Sequence, residues 1–192
     1  PTNQLPIGIS DVNIWNRSWD KLSRHERDYK HQGIEEKESY RWISGAERTK
    51  KLLTKATFLT FIGDRECDIY EEFALIPDSR THLLIRSSIN RRLYGEDQKL
   101  FEKLESSNLR ATYDLEIRHN RKREERTARM SLKYEKVKIK HKKKKKLGNN
   151  PVFVEMWAIE ARELPETVPV GEEAILWRLL TTHPISSPED AL

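Results

Sequence analysis

The residue best placed to do chemistry is a carboxylate, Asp64, in the run Gly63-Asp64-Arg65-Glu66-Cys67-Asp68 that follows an apolar, strand-like stretch. A carboxylate there projects into the crevice beyond the carboxyl end of a strand, where open α/β sheets gather their ligands. Gly-Asp at a strand-to-helix junction is equally ordinary turn chemistry, with the Asp accepting a backbone hydrogen bond as a cap. Both readings stand on the residues alone. Glu66 adds negative charge to the same turn, and Asp68 reads as the cap of the next helix. Other chemistries have no comparable foothold. His25, His31, His82, His119, His141 and His183 form no zinc-type spacing with one another or with Cys67. The sequence has no Gly-rich phosphate loop and no Gly-x-Ser-x-Gly elbow.

The elements that must position Asp64 are legible as changes of period. Pro6 to Trp15 reads as an edge strand, and Arg17 to Gly33 as a polar surface loop. Glu35 to Leu53 places Trp42, Ile43, Ala46, Leu52 and Leu53 at roughly helical spacing among good helix formers. Thr57 to Ile62 is a buried strand ended by Gly63-Asp64. Asp68 to Ile76 is a short helix closed by Pro77, and His82 to Arg86 is a second buried strand. Strand, helix and strand in that order predict a βαβ unit in a covered parallel sheet.

After Ser88 the pattern changes. A short helical turn over Lys99 to Leu104 precedes four alternating segments, Ala111 to Ile117, Arg126 to Ile139, Pro151 to Ile159 and Ala174 to Thr181. They predict an antiparallel sheet, with the run Lys142 to Asn150 turning between two strands and Glu163 to Gly171 making a second connection.

Charge is concentrated in one place. The net charge is +5, but Arg118 to Lys146 holds 15 Lys or Arg against three Glu, a local +12 that leaves the remaining 163 residues at −7. Such a segment attracts polyanions by neutralising phosphates and releasing counterions; it is equally what a solvated basic loop looks like. A single cysteine permits no internal disulfide, and no apolar run is long enough to span a bilayer, so a reducing cytosol is the expected compartment. The chain starts at Pro1 and stops just after a helix-start signal at Ser187-Pro188-Glu189-Asp190, and reads as a piece of a longer protein.

Five short motifs occur in order along the chain. They are Glu36-Lys37-Glu38-Ser39 with Trp42, Asp64-Arg65-Glu66-Cys67-Asp68-Ile69, Leu84-Ile85-Arg86-Ser87, Arg126-Thr127-Ala128-Arg129, and Trp177 leading into Leu179-Leu180-Thr181-Thr182-His183-Pro184. As an ordered set covering Gly8 to Leu192, they resemble the bacterial cut-and-paste DDE transposases of the insertion-sequence-four family.

The resemblance implies an α/β fold, a partial ribonuclease-H-like core with an antiparallel β-sheet insertion. It divides the chain into core (1–88), mostly β insertion with a basic hairpin (89–183) and the start of a returning core helix (184–192). Such enzymes cut and join DNA at transposon ends with three carboxylates that hold two Mg2+ or Mn2+ ions. Asp64 matches the second Asp of the set. The first would precede Pro1, and the Glu would lie in a Tyr-Arg-Glu-Lys helix beyond Leu192, so this piece alone is expected to be inactive. Arg86 matches an Arg that touches DNA near the active site, and Trp177 a Trp that stacks on an extruded base; the residues alone also allow a strand-end Arg and a core Trp. The basic segment, with Arg121, Arg123, Arg126, Lys142, Lys143 and Lys144, becomes a DNA-facing hairpin. The implied partners are double-stranded DNA, as transposon ends and target, and a second copy of the full-length protein, with action at the bacterial nucleoid. The rival reading is a non-catalytic basic nucleic-acid-binding module, or a decayed transposase remnant.

Overall fold

A computed structural model describes residues 6, 8–14, 33–119, 124–142 and 151–192. Among them, helix α1 (Tyr40–Leu52) leads to strand β1 (Leu59–Gly63), helix α2 (Tyr70–Leu75) and strand β2 (Thr81–Arg86). Helix α3 (Leu100–Ser106) precedes strands β3 (Ala111–Ile117), β4 (Arg126–Lys140), β5 (Phe153–Glu163) and β6 (Leu176–Thr181). The strands form one mixed sheet in the order β1-β2-β6-β5-β4-β3. As the period predicts, β1 and β2 are parallel, and every other neighbouring pair is antiparallel. No helix among the described residues is long and apolar enough to cross a membrane.

The three helices pack on one face of this sheet. Ile43 and Ala46 from α1, Phe73 from α2, and Leu100 and Leu104 from α3 close over Leu83, Ile85, Leu180, Ala158, Met156, Val137 and Ile139. Burying each of the larger of these side chains contributes about 1.5–3 kcal/mol, so this layer is the main source of stability. The opposite face carries smaller clusters on β3 to β6, one of them joined by Ile185. At β1 that face is open, with Ile62 77% exposed. The expected two-sided covering of β1 and β2 is therefore corrected: β2 alternates buried and half-buried residues because, among the described residues, helices lie on one side only.

One further expectation changes. The described part of Pro6 to Trp15 forms no strand. Asp11 instead accepts two hydrogen bonds from Arg48 of α1, at 2.9 and 2.7 Å, and Ile9 and Ile14 stay exposed. Between 1–88 and 89–183, β6 pairs with β2 on one side and β5 on the other, and one core collects side chains from both stretches. The closing segment makes a single 3-10 turn, Glu189–Ala191, with Asp190 accepting from the backbone amides of Ser186 and Ser187. The loop expected over Arg17 to Gly33 and the turn over Lys142 to Asn150 lie almost wholly outside the described residues.

Gly63 is required by space. A Cβ there would lie 2.5 Å from Cys67 Cβ, 2.6 Å from its Sγ and 2.9 Å from Ile85 Cδ1. The close approach lets the turn after β1 fold back under the strand end. Gly63→Ala should lower stability by about 1–3 kcal/mol, as overpacking of a tight interior does, read as an earlier thermal unfolding midpoint.

Candidate functional site

The site is built where β1 and β2 end side by side. Gly63 is in register with Ile85, so Asp64 and Arg86 sit at and just beyond the last paired residues of two parallel neighbours. Asp64 is exposed and begins a 3-10 turn, Arg65–Cys67, with Oδ1 accepting from the Glu66 amide at 2.9 Å. Its second oxygen meets no hydrogen-bond donor among the described residues. Cap and candidate ligand are thus compatible roles, since the cap uses one oxygen and leaves the other open.

The three acidic residues of this turn have separate fates. Glu66 is paired with Arg41 of α1 at 2.5 Å. Asp68 does not cap α2, whose N-cap is Ile69 with no side-chain hydrogen bond. Instead Asp68 is buried against Arg91, which donates to Oδ1 through Nε at 2.8 Å and Nη2 at 2.5 Å. The backbone amides of Ser88 and Ile89 donate to Oδ2 at 2.8 and 2.9 Å. One side chain thereby ties the loop after β1 to the segment after β2 and holds the ends that carry Asp64 and Arg86 together.

As a test of fit for divalent metal, Asp64 offers an open, hard oxygen, while Glu66 and Asp68 are committed to arginines. The turn supplies one ligand. No group of three or more His, Cys, Asp or Glu suited to a metal occurs among the described residues.

Arg86 is half-buried and has no ion-pair partner among the described residues. Trp177 is 37% exposed on β6, on the same sheet face as Leu179, the cross-strand partner of Arg86. It is an accessible ring near the strand ends rather than a core tryptophan. Arg126, one of the expected phosphate readers, is engaged within the fold. Its guanidinium forms a two-pronged pair with Glu163, whose side chain is fully buried, so the charge is satisfied internally. Lys142 is exposed beyond β4, whereas Arg121, Arg123, Lys143 and Lys144 lie outside the described residues. The described arm is less cationic than its sequence, because Lys136 and Lys138 share Glu155 at 3.2 and 3.9 Å.

Sequence reasoning missed the pair of Arg91 with Asp68, and it missed Glu72. A cavity of about 970 Å³ opens between α1 and the end of β1, lined in part by Trp42, Phe61, Gly63, Cys67 and Glu72. Glu72 is buried, its Oε2 has no hydrogen-bond partner, and burial pushes its carboxyl up from 4.5 to about 7. Nothing in the pattern of α2 marks this position as interior, since Glu71 and Glu72 read alike as first-turn acids. Burial, with Glu72 and Asp64 nearby, also pushes the Cys67 thiol up to about 12, which makes it a poor nucleophile.

A raised carboxyl has a signed consequence for stability. The neutral form is favoured in the fold, so Glu72 costs nothing below its unfolded value near 4.5. From there to about 7 the unfolded chain releases a proton that the folded one keeps, and stability falls, by at most about 3 kcal/mol. Denaturant melts of Glu72→Gln should lose this decline between pH 4.5 and 7, whereas the parent chain retains it.

Compared with known proteins, the chain matches no protein-family model, and no curated protein sequence is significantly similar to it.

Proposed function

We propose that the chain is the central part of the catalytic domain of a DDE transposase of the insertion-sequence-four type, with a ribonuclease-H-like core, acting on double-stranded DNA. The observation that carries the reading is Asp64: an exposed carboxylate with one oxygen open, at the mouth of two parallel strands, beside an arginine with no ion-pair partner among the described residues. The ordered motifs of the sequence support it, as does the accessible ring of Trp177.

On this reading each side chain has a definite task. Asp64 contributes one of three carboxylates, the other two being supplied by sequence beyond these 192 residues. Together they would hold two Mg2+ or Mn2+ ions, which supply activation of water and of a 3′-hydroxyl for in-line attack on a phosphodiester. Arg86 neutralises a backbone phosphate at the strand mouth, and the Asp68–Arg91 clamp fixes its distance from Asp64. Trp177 offers a face for an unpaired base. Lys142 and the basic arm add affinity that depends on salt and not on sequence. The full-length protein works as a homodimer on paired ends, in the bacterial cytoplasm at the nucleoid.

The test is strand cleavage by the full-length protein carrying Asp64→Ala. Cleavage should be lost while binding to transposon ends is kept; undiminished cleavage removes Asp64 from the reaction and leaves the non-catalytic nucleic-acid-binding reading.

A further inference from the structure

Two histidines far apart in sequence meet on the sheet face opposite the helices. His82 on β2 and His183 just beyond β6 are stacked, with ring centroids 4.4 Å apart and planes inclined by 21°. Phe58, next to the start of β1, lies 5.2 Å from the first ring and 5.3 Å from the second, so one ring cluster joins three parts of the chain. Each imidazole is also held by a hydrogen bond. His82 Nδ1 lies 3.2 Å from the Thr182 carbonyl oxygen, and because a carbonyl only accepts, Nδ1 carries the proton. His183 Nε2 lies 3.0 Å from Thr60 Oγ1 on β1.

This cluster fastens the segment that follows β6. From His183 the chain runs back over β5 and β4, where Ile185, 4% exposed, packs with Leu132, Tyr134 and Ile159, and Ala191 lies against the same cluster. The other groups that touch the two rings, Phe58, Thr60 and Thr182, carry no charge. Among the described residues, no carboxylate forms an ion pair with either ring, and the charge that acts on His183 is that of His82. Burial, and then His82, hold the His183 imidazole below its ordinary 6.5. Two protons on stacked rings would set like charges against each other with no counter-ion.

We propose that His82 and His183 form an acid-released clasp: uncharged and stacked at neutral pH, they hold residues 183–192 on the sheet, and they let that segment go as both rings take up protons below about pH 6. Release uncovers apolar side chains of β4 and β5. The sign follows from which state resists the proton. A ring that stays neutral in the fold contributes stability that is complete above 6.5 and is lost as pH falls below it. Glu72 acts in the opposite sense, gaining as pH falls from about 7 toward 4.5, so it cannot mimic the loss. The clasp is independent of whether Asp64 binds metal.

The experiment is hydrogen exchange of the 192-residue chain at pH 7 and pH 5, expressed as protection factors so that the pH dependence of the exchange chemistry cancels. Protection over residues 183–192 should fall about tenfold at pH 5, the equivalent of one pKa unit, while β5 stays protected. His82→Gln removes one of the two charges and His183→Gln the other, so in each variant the fall should be largely abolished. Unchanged protection of the parent at pH 5 overturns the proposal, as does a fall of the same size in both variants. If β5 loses protection in step with residues 183–192, acid unfolds the whole chain and there is no clasp.

Discussion

Asp68→Ala should lower the stability of the chain by about 3–5 kcal/mol, the range expected when one partner of a buried ion pair is removed. The size follows from what is left behind. Arg91 is 4% exposed and directs Nε and Nη2 at the Asp68 carboxylate, and it also lies 5.2 Å over the Phe73 ring. Without Asp68 its guanidinium keeps one backbone carbonyl, that of residue 68 itself, and the amides of Ser88 and Ile89 lose their acceptor. Asp68→Asn should be milder, since an amide oxygen still accepts from two donors, yet it cannot neutralise the arginine. Urea denaturation of the two variants against the parent reads both effects. Equal stability for all three would mean that the clamp does not hold the strand ends. The variant has a second, functional consequence: with the loops untied, Asp64 and Arg86 lose their fixed relation, so activity should fall even at temperatures where the fold survives.

The sequence carries the βαβ unit and the antiparallel strands because both are written locally. Leu-Thr-Phe-Ile and His-Leu-Leu-Ile-Arg have strand composition wherever they sit, and the alternation of β3 is apolar to polar at every step. β4 and β5 are also found where the alternation puts them, with β5 running on to Glu163. What the sequence hides is set by long-range pairing. Asp68 and Arg91 are 23 positions apart, and nothing in either local pattern names the other as partner. Arg126 reads as one more cation of a basic run until Glu163, 37 positions on, is found beneath it. The stretch around Ile9 and Ile14 reads like a strand, but among the described residues it pairs with no strand, and its polar residues go to α1. Of the candidate site, Asp64 and Arg86 are legible from their places at strand ends; Glu72, buried with an unpartnered oxygen, is not, because its burial is visible only in three dimensions.

Asp64→Asn separates the two roles open to this residue, and it should lower strand cleavage by the full-length protein roughly a thousandfold or more, several kcal/mol of transition-state stabilisation. Asparagine keeps one of the two functions of the carboxylate. Its side-chain oxygen can still accept from the Glu66 amide, and Asn is as good a cap as Asp, so the turn Arg65–Cys67 should persist. The negative charge and the second hard oxygen are lost. A large fall in cleavage with an unchanged melting curve and unchanged binding to DNA ends therefore isolates ligation from capping. A fall in activity that tracks a fall in stability would return Asp64 to the role of turn residue.

The most direct measurement is metal-specific rescue of Asp64→Cys in the full-length protein, with strand cleavage followed in Mg2+ and in Mn2+. A thiolate is a soft ligand that serves Mg2+ poorly and Mn2+ better. The variant should not cleave in Mg2+ and should partly recover cleavage in Mn2+, with Asp64→Ala inactive in both. Cleavage by Asp64→Cys in Mg2+ at the parental rate would contradict it.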